Sequence, residues 1–320
     1  MLNEILARRV VIVLGKGGVG KSTLSAALAK LATLSDAHAL IMECDTRAPL
    51  AATFGVESSF APTPVAHNLA LMTLDGRAAL EEYLRLVVPG RMLLKAVFAS
   101  RLYQFFVQAA PGLRELMMLG KIFYDAGRDD PKAPAARNII VVDAPASGQA
   151  ISLLKMPAAA RATFGESVVG KEARNISRML RDRRNCAIIQ VTTADSLSIS
   201  ETIETHAQLS SLHLTPAAVL FNRVPPFDFD AGDISALTNR RAPHSRKKDL
   251  EHLADLAKSE LNRASDARKA IAKIRAESGA SVLEIAEHGG LSGIELIDRI
   301  TAELARDREG EAPTRTAHRR

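Results

Sequence analysis

Cysteine is almost missing from this chain: Cys44 and Cys186 are the two among 320 residues, and no metal-ligand spacing links them. That scarcity excludes a disulfide scaffold and a zinc or iron–sulfur framework, and it suits a reducing compartment. Long apolar runs are missing too. None approaches the roughly 18 residues of a membrane span, and Glu4 stands where a signal peptide would begin its apolar core. The expected location is cytoplasmic, with any membrane contact peripheral, at the inner membrane. Aromatic residues make up 4% of the chain and none follows Phe229. A basic stretch from Arg240 to Arg275, with 11 Lys or Arg against 5 Asp or Glu, therefore lacks the stacking surfaces that accompany single-strand nucleic-acid binding. Its excess of +6 equals the net charge of the whole chain, so the basic character is local. It reads as a solvated helix face, with an anionic surface or partner as the alternative; nucleic acid is not the expected partner.

What the sequence does hold is an apolar fraction of 47%, ample for a buried core, and one motif that carries chemistry. The apolar run Val10 to Leu14 leads into Gly15-Lys16-Gly17-Gly18-Val19-Gly20-Lys21-Ser22, with Thr23 beside it, and Leu24, Ala27, Leu28 and Leu31 then recur at helical spacing. Strand, glycine loop and helix start in this order make a P-loop. The glycines let backbone N–H groups of the loop, Val19 included, turn toward one centre at the positive end of the helix. Lys21 supplies a charge for the β- and γ-phosphates and Ser22 a hydroxyl for Mg²⁺. The expected ligand is ATP with Mg²⁺; the bland alternative is a glycine-rich turn. Lys16 is not required by the general pattern.

Further strands are expected at Ala39 to Cys44, Leu69 to Leu74, Asn138 to Val142, Ala187 to Thr193, Ala217 to Phe221 and Ser281 to Ile285. Asp45, at the carboxyl end of the second, stands where ligands bind in open α/β sheets and can orient the attacking water or hold a water of the Mg²⁺ shell; the bland reading is a turn aspartate. Asp143 ends a fully apolar strand, the Walker B arrangement for Mg²⁺, and Gly148 after it can offer its N–H to a γ-phosphate or simply turn the chain. Asn222 and Arg223 end a later strand before Pro225-Pro226, as nucleotide contacts or as turn residues. Between Arg77 and Gly127 the spacing predicts inserted helices holding all three tyrosines, four phenylalanines, Met92, Met117 and Met118. That segment is a helical core or an apolar groove for a helical client, with Met92, Phe98, Phe105, Met117 and Met118 as candidates for the groove. Asp129 to Ala136 reads as a loop, Met156 to Arg184 as basic, helical and partly loop with breaks at Gly165 and Gly170, Ser200 as a helix start, and Gly293 to Arg306 as a last helix.

Lys16 resembles the signature lysine of the deviant P-loop ATPases, which reaches across a dimer to the partner's nucleotide. Asp45 to Leu50 followed by Phe54-Gly55 resembles switch I of the arsenite-pump family, usually Asp-Pro-Ala-His-Ser-Leu and then Phe-Gly; Asp45 and Leu50 match, whereas Thr46, Arg47 and Ala48 depart. Asp143, Gly148, Leu153 and Leu154 match its switch II, with Gln149 in place of the usual His. Asn222 matches an Asn that faces adenine in that family. From Val10 to about Arg306 the chain is thus similar to the arsenite-pump and tail-anchored-protein-targeting ATPases. The resemblance implies a mainly parallel, doubly wound α/β sheet, a homodimer or a heterodimer with a paralogue, and trans action of Lys16. It lacks the paired cysteines of the zinc-bridged targeting members and any arsenite-binding thiol cluster. The expected organisation is a single P-loop ATPase domain over 1–306, with a helical insertion at about 77–127, a basic helical segment at about 240–275 and a disordered tail at 307–320. Three functions are weighed: ATP-driven handling of a hydrophobic client helix or membrane protein, a soluble ATPase subunit energising anion or metalloid export, and a nucleotide-regulated positioning switch on membrane or DNA.

Overall fold

The apolar runs become an eight-stranded sheet in a computed structural model that describes residues 1–45, 47–88, 90, 92, 95, 98–100, 112–127, 139–225, 231–238 and 244–310. In chain order the strands are β1 (Val10–Gly15), β2 (Ala39–Glu43), β3 (Thr63–Ala66), β4 (Leu69–Thr73), β5 (Ile139–Asp143), β6 (Cys186–Thr192), β7 (Ala218–Val224) and β8 (Val282–Ala286). Across the sheet they lie in the order β3-β4-β2-β5-β1-β6-β7-β8, parallel throughout except for β3 against β4. β1, β2, β5 and β6 are buried along their whole length, the signature of a sheet covered on both faces. The seven strands read from the sequence are all present, with ends displaced by up to three residues. β3 escaped that reading because it is four residues long, half exposed and contains Pro64, which an edge strand tolerates.

The named helices are α1 (Leu2–Leu6), α2 (Lys21–Thr33), α3 (Pro49–Phe54), α4 (Gly76–Val87), α5 (Leu113–Ala126), α6 (Ser147–Phe164), α7 (Val168–Arg181), α8 (Ser196–Ser211), α9 (Ala231–Thr238), α10 (His244–Ser278) and α11 (Gly293–Glu309). Alternate residues of β1 serve opposite layers: Val11 and Val13 join the core under α2 and α11, whereas Val10, Ile12 and Leu14 join the core under α5, α6 and α7. Val219 and Phe221 of β7 pack against Ala267, Ile271 and Ile274, so α10 finds its apolar neighbour on the far flank of the sheet. This is the doubly wound α/β class expected from the alternation of strands and helices. From β1 the chain turns toward β2, and from β5 it turns back past β1 to β6, so the crevice beside the carboxyl ends of β1 and β5 is where such sheets bind ligands.

Several boundaries differ from the sequence reading. The helix anticipated at Ser200 begins at Ser196, because Asp195 accepts the Ser198 N–H and caps it. Pro157 sits inside a continuous α6, and the break before α7 falls at Gly165 with φ +54°, while Gly170 lies within α7 pressed against the Gly165 carbonyl. α11 continues to Glu309, past the Arg306 boundary; residues 311–320 of the anticipated tail lie outside the described residues. In the insertion, Leu116, Leu119 and Ile122 of α5 are buried on the sheet, and Met117 and Met118 pack against the same core. Both methionines are half-buried, touching the core on one side while part of each side chain stays accessible. Met92 is 87% exposed, and Phe98 lies beneath the Arg85 guanidinium at 6.0 Å. Phe105 and the Asp129–Ala136 loop lie outside the described residues.

Candidate active site

β1 delivers the chain to Gly15, whose backbone passes so near the Val191 carbonyl of β6 that a side chain would collide. The loop then turns through Gly18 and Gly20 at φ +86° and +93°, a region glycine enters without steric cost, and α2 starts at Lys21. No side chain caps α2, so its first N–H groups are left for an anion at the positive end of the helix. Val19 is buried, Gly17 has open space where a Cβ would stand, and Thr23 lies in the first turn of α2.

Lys21 folds back over this loop, its Nζ donating to the Lys16 carbonyl at 3.2 Å. Burial lowers its pKa, opposed by the negative charges of Asp143, Asp45 and Glu201. The three groups expected to work with Lys21 converge: Ser22 Oγ donates to Asp143 Oδ2 at 2.6 Å, and Asp45 is near enough for its charge to act on both Lys21 and Asp143. Ser25, one turn along α2, donates to Asp143 Oδ1 at 3.1 Å. Burial pushes the Asp143 carboxyl above its usual range, while the Ser22 and Ser25 hydrogen bonds and the Lys21 charge pull the other way.

Asp45 is gripped by the residue two positions on. Arg47 Nη2 reaches Asp45 Oδ2 at 2.7 Å, Arg47 Nε lies 3.1 Å from Oδ1, and the Arg47 backbone N–H donates to Oδ1 at 2.9 Å. These bonds hold the Asp45 carboxyl below its ordinary pKa. Thr46, between them, lies outside the described residues. Behind this loop, the buried Glu43 carboxylate of β2 accepts the Leu50 N–H at 2.6 Å and so ties the first turn of α3 to the sheet beside Asp143. Its second oxygen has no hydrogen-bond partner among the described residues, and burial raises its pKa to about 7.

The remaining anticipated residues surround the loop. Lys16 Nζ donates to Asp195 Oδ2 at 3.0 Å, on the cap of α8. Asn222 is buried in β7 with its amide against Gly20; Nδ2 donates to the Val19 carbonyl at 2.8 Å and Oδ1 accepts the Arg223 N–H at 3.0 Å. Arg223 itself is exposed and has φ +60°, in the left-handed region. Gly148 lies in the first turn of α6 with nothing within 4 Å of where a Cβ would be, so a group can approach its backbone closely.

The donors present fit a Mg²⁺-bound nucleoside triphosphate. A hydroxyl and two carboxylates are hard oxygen ligands, the Ser22–Asp143 bond marks where a cation and its waters would enter, and the uncapped helix with its glycine loop forms a cradle for phosphate oxygens. Sequence reasoning did not find Ser25, Glu43 or Asp195. Ser25 was legible in principle, being three residues after Ser22 on one helix face. Glu43 was hidden inside an apolar strand, and Asp195 meets Lys16 only because β1 and β6 are neighbours.

Comparison with known proteins gives three kinds of relative. Residues 8–172 match the family described as anion-transporting ATPase. ATPase BagA of Mycobacterium tuberculosis is 28% identical over 233 residues, covering 71% of this chain and 68% of the relative, and a protein named "Putative ATPase Mb3704" of Mycobacterium bovis is similar to the same extent. An uncharacterized protein of Streptomyces coelicolor is 27% identical over 150 residues, 47% of this chain and 37% of its own.

Proposed function

This chain belongs to the anion-transporting ATPase family and is an ATP hydrolase, and from that premise we propose that it works as a Mg²⁺-dependent dimer whose nucleotide state controls a hydrophobic client surface. The observation that carries the reading is the Ser22–Asp143 contact at 2.6 Å, with Lys21 folded over the same loop. Phosphoryl transfer needs charge neutralisation and positioning more than covalent chemistry, and these groups supply both. Ser22, Asp143 and Asp45 would hold Mg²⁺, which when bound would neutralise charge on the phosphates. Lys21 binds the β- and γ-phosphate oxygens. Asp45 orients the attacking water, for which Arg47 must release its carboxylate. The Gly148 N–H reports the γ-phosphate to α6, and Asn222 and Arg223 flank the base while Asn222 also braces the loop. Lys16 acts on the nucleotide of a second protomer, identical or paralogous. The client-handling reading is supported by the insertion, which joins β4 to β5 and so connects the Asp45 and Asp143 sides of the site.

Turnover with Mg²⁺ against turnover in EDTA tests the metal, and sedimentation velocity with ATP tests the dimer. An Asp45→Asn variant, expected to stall with ATP bound, is the form from which to recover partners; a stalled dimer that carries no hydrophobic protein removes the client reading. Metalloid export is less well supported, because both cysteines are buried and therefore unavailable as thiolate ligands.

A further inference from the structure

On the long basic helix that the composition points to, several cations are ion-paired among the described residues. On α10, Lys258 pairs with Asp255, Arg263 with Glu260 and Glu287, Lys269 with Asp266, and Arg275 with Glu284. These cations are balanced by acids on the helix or on β8 and the residue after it. The hairpin of α6 and α7 is different. From Lys155 to Arg184 there are eight Lys or Arg against three Asp or Glu. Arg174, Arg178 and Arg181 follow one another at helical spacing along one face of α7, and Arg161 of α6 joins them around an open cleft of about 500 Å³. Arg161, Arg178 and Arg181 make no ion pair among the described residues. Arg174 pairs with Glu166, but its Nε is buried without a hydrogen-bond partner among the described residues. The one acid lining the cleft, Asp182, is already engaged by the Arg184 N–H at 2.9 Å and Asn185 Nδ2 at 2.8 Å.

Four guanidinium groups around one cleft repel one another unless an anion lies among them, and their planar donors match phosphate oxygens. The same hairpin carries two large apolar side chains at its turn, Phe164 at 45% and Val168 at 67% exposure, flanking the break at Gly165. A soluble phosphate would have no use for these; a lipid surface would, since aromatic and aliphatic groups at a turn enter the headgroup boundary while neighbouring arginines stay with the phosphates. We propose that the Arg161–Arg174–Arg178–Arg181 cleft binds phosphate groups of an anionic phospholipid bilayer, with Phe164 and Val168 as shallow anchors. The hairpin starts at Ser147, four residues after Asp143, and includes Gly148, so membrane contact is joined by one helix to the nucleotide site.

The test uses the full chain and co-sedimentation with vesicles of phosphatidylcholine containing phosphatidylglycerol, against vesicles of phosphatidylcholine alone. Wild type is expected to bind the anionic vesicles and to be released by salt. The triple variant Arg161→Gln, Arg178→Gln, Arg181→Gln should partition roughly 100-fold less, from a several-fold contribution per basic residue near an anionic surface. Phe164→Ser should weaken binding several-fold with little change in salt dependence. Unaltered ATPase rate and melting temperature show that these variants fold. Equal binding of wild type and the triple variant would overturn the proposal, as would loss of binding on Lys258→Gln, Lys269→Gln instead. Titration with inorganic phosphate and with an acidic peptide separates the other sources: arginine-dependent binding of either, without vesicle binding, also overturns it.

Discussion

Lys16 Nζ lies 3.0 Å from Asp195 Oδ2, so the lysine that the family resemblance sends to a partner's nucleotide is held within its own chain by the cap of α8. The contact, together with two bonds from Ser198, holds the Asp195 carboxyl down at about 2, so the pair is intact throughout the neutral range. Asp195→Asn retains a good capping residue but loses the charge that retains Lys16. For the proposed dimer, association of this variant in ATP should be roughly two- to fivefold tighter, the scale of an exposed ion pair, when followed by sedimentation velocity at graded protein concentration. No change would mean that Lys16 is not in competition between the two places.

Lys21→Ala and Asp143→Asn address the phosphate site directly. Each should lower the ATPase rate by roughly 100-fold or more, as loss of a charge-stabilising group does in phosphoryl transfer. The two should separate in their response to Mg²⁺: titrating the metal should partly rescue Asp143→Asn and leave Lys21→Ala unmoved. Identical titration curves would remove Asp143 from the cation shell.

Asn222→Ala deletes the bond to the Val19 carbonyl and leaves that buried acceptor unpaired. The cost is about 1 to 3 kcal/mol, felt first in the loop. The KM for ATP should rise about tenfold or more while the melting temperature moves by a few degrees. A variant with normal KM and a much lower melting temperature would make Asn222 a purely structural residue.

His206 supplies a pH dependence. Its Nδ1 donates to Gln190 Oε1 at 3.0 Å between α8 and β6, and burial lowers its pKa below the ordinary value of 6.5. In the acid range the unfolded chain therefore binds a proton that the folded protein refuses. The stabilising contribution is complete above about 6.5 and is lost as pH falls from there through the lower folded-state value. Melting curves of wild type and His206→Gln should run parallel at neutral pH and converge on acidification; a constant difference from pH 8 to pH 5 would contradict this.

Met92 and Met118 separate client surface from core. Met92→Glu, at an exposed site, should change stability by no more than about 0.5 kcal/mol and reduce recovery of hydrophobic partners. Met118→Glu, packed on the core, should lower the melting temperature markedly. Unimpaired partner recovery with Met92→Glu would take the insertion out of client binding.

Legibility followed range in the chain. Continuous apolar runs flanked by glycine or aspartate revealed β1, β2 and β5 with their terminal residues, since burial on both faces leaves no other composition open to a parallel strand. For the anticipated groove, helical spacing identifies an apolar face without saying what covers it; Met117 and Met118 are half-buried against the core. In the basic stretch a count of charges says how many cations are in excess but not which are paired: Lys258, Arg263, Lys269 and Arg275 meet Asp255, Glu260, Asp266 and Glu284 at the surface of α10, as a solvated helix face would.

By itself the sequence determined the phosphate loop, the two strand-end aspartates and the α/β class, because each depends on residues adjacent in the chain. Only the tertiary structure decided which distant groups meet there. Ser25 reaches Asp143 and Lys16 reaches Asp195 because β5 and β6 flank β1, and Asn222 braces Val19 from two strands away. The order of strands in the sheet is set by crossover packing summed over the whole core, and no local stretch of sequence contains that information.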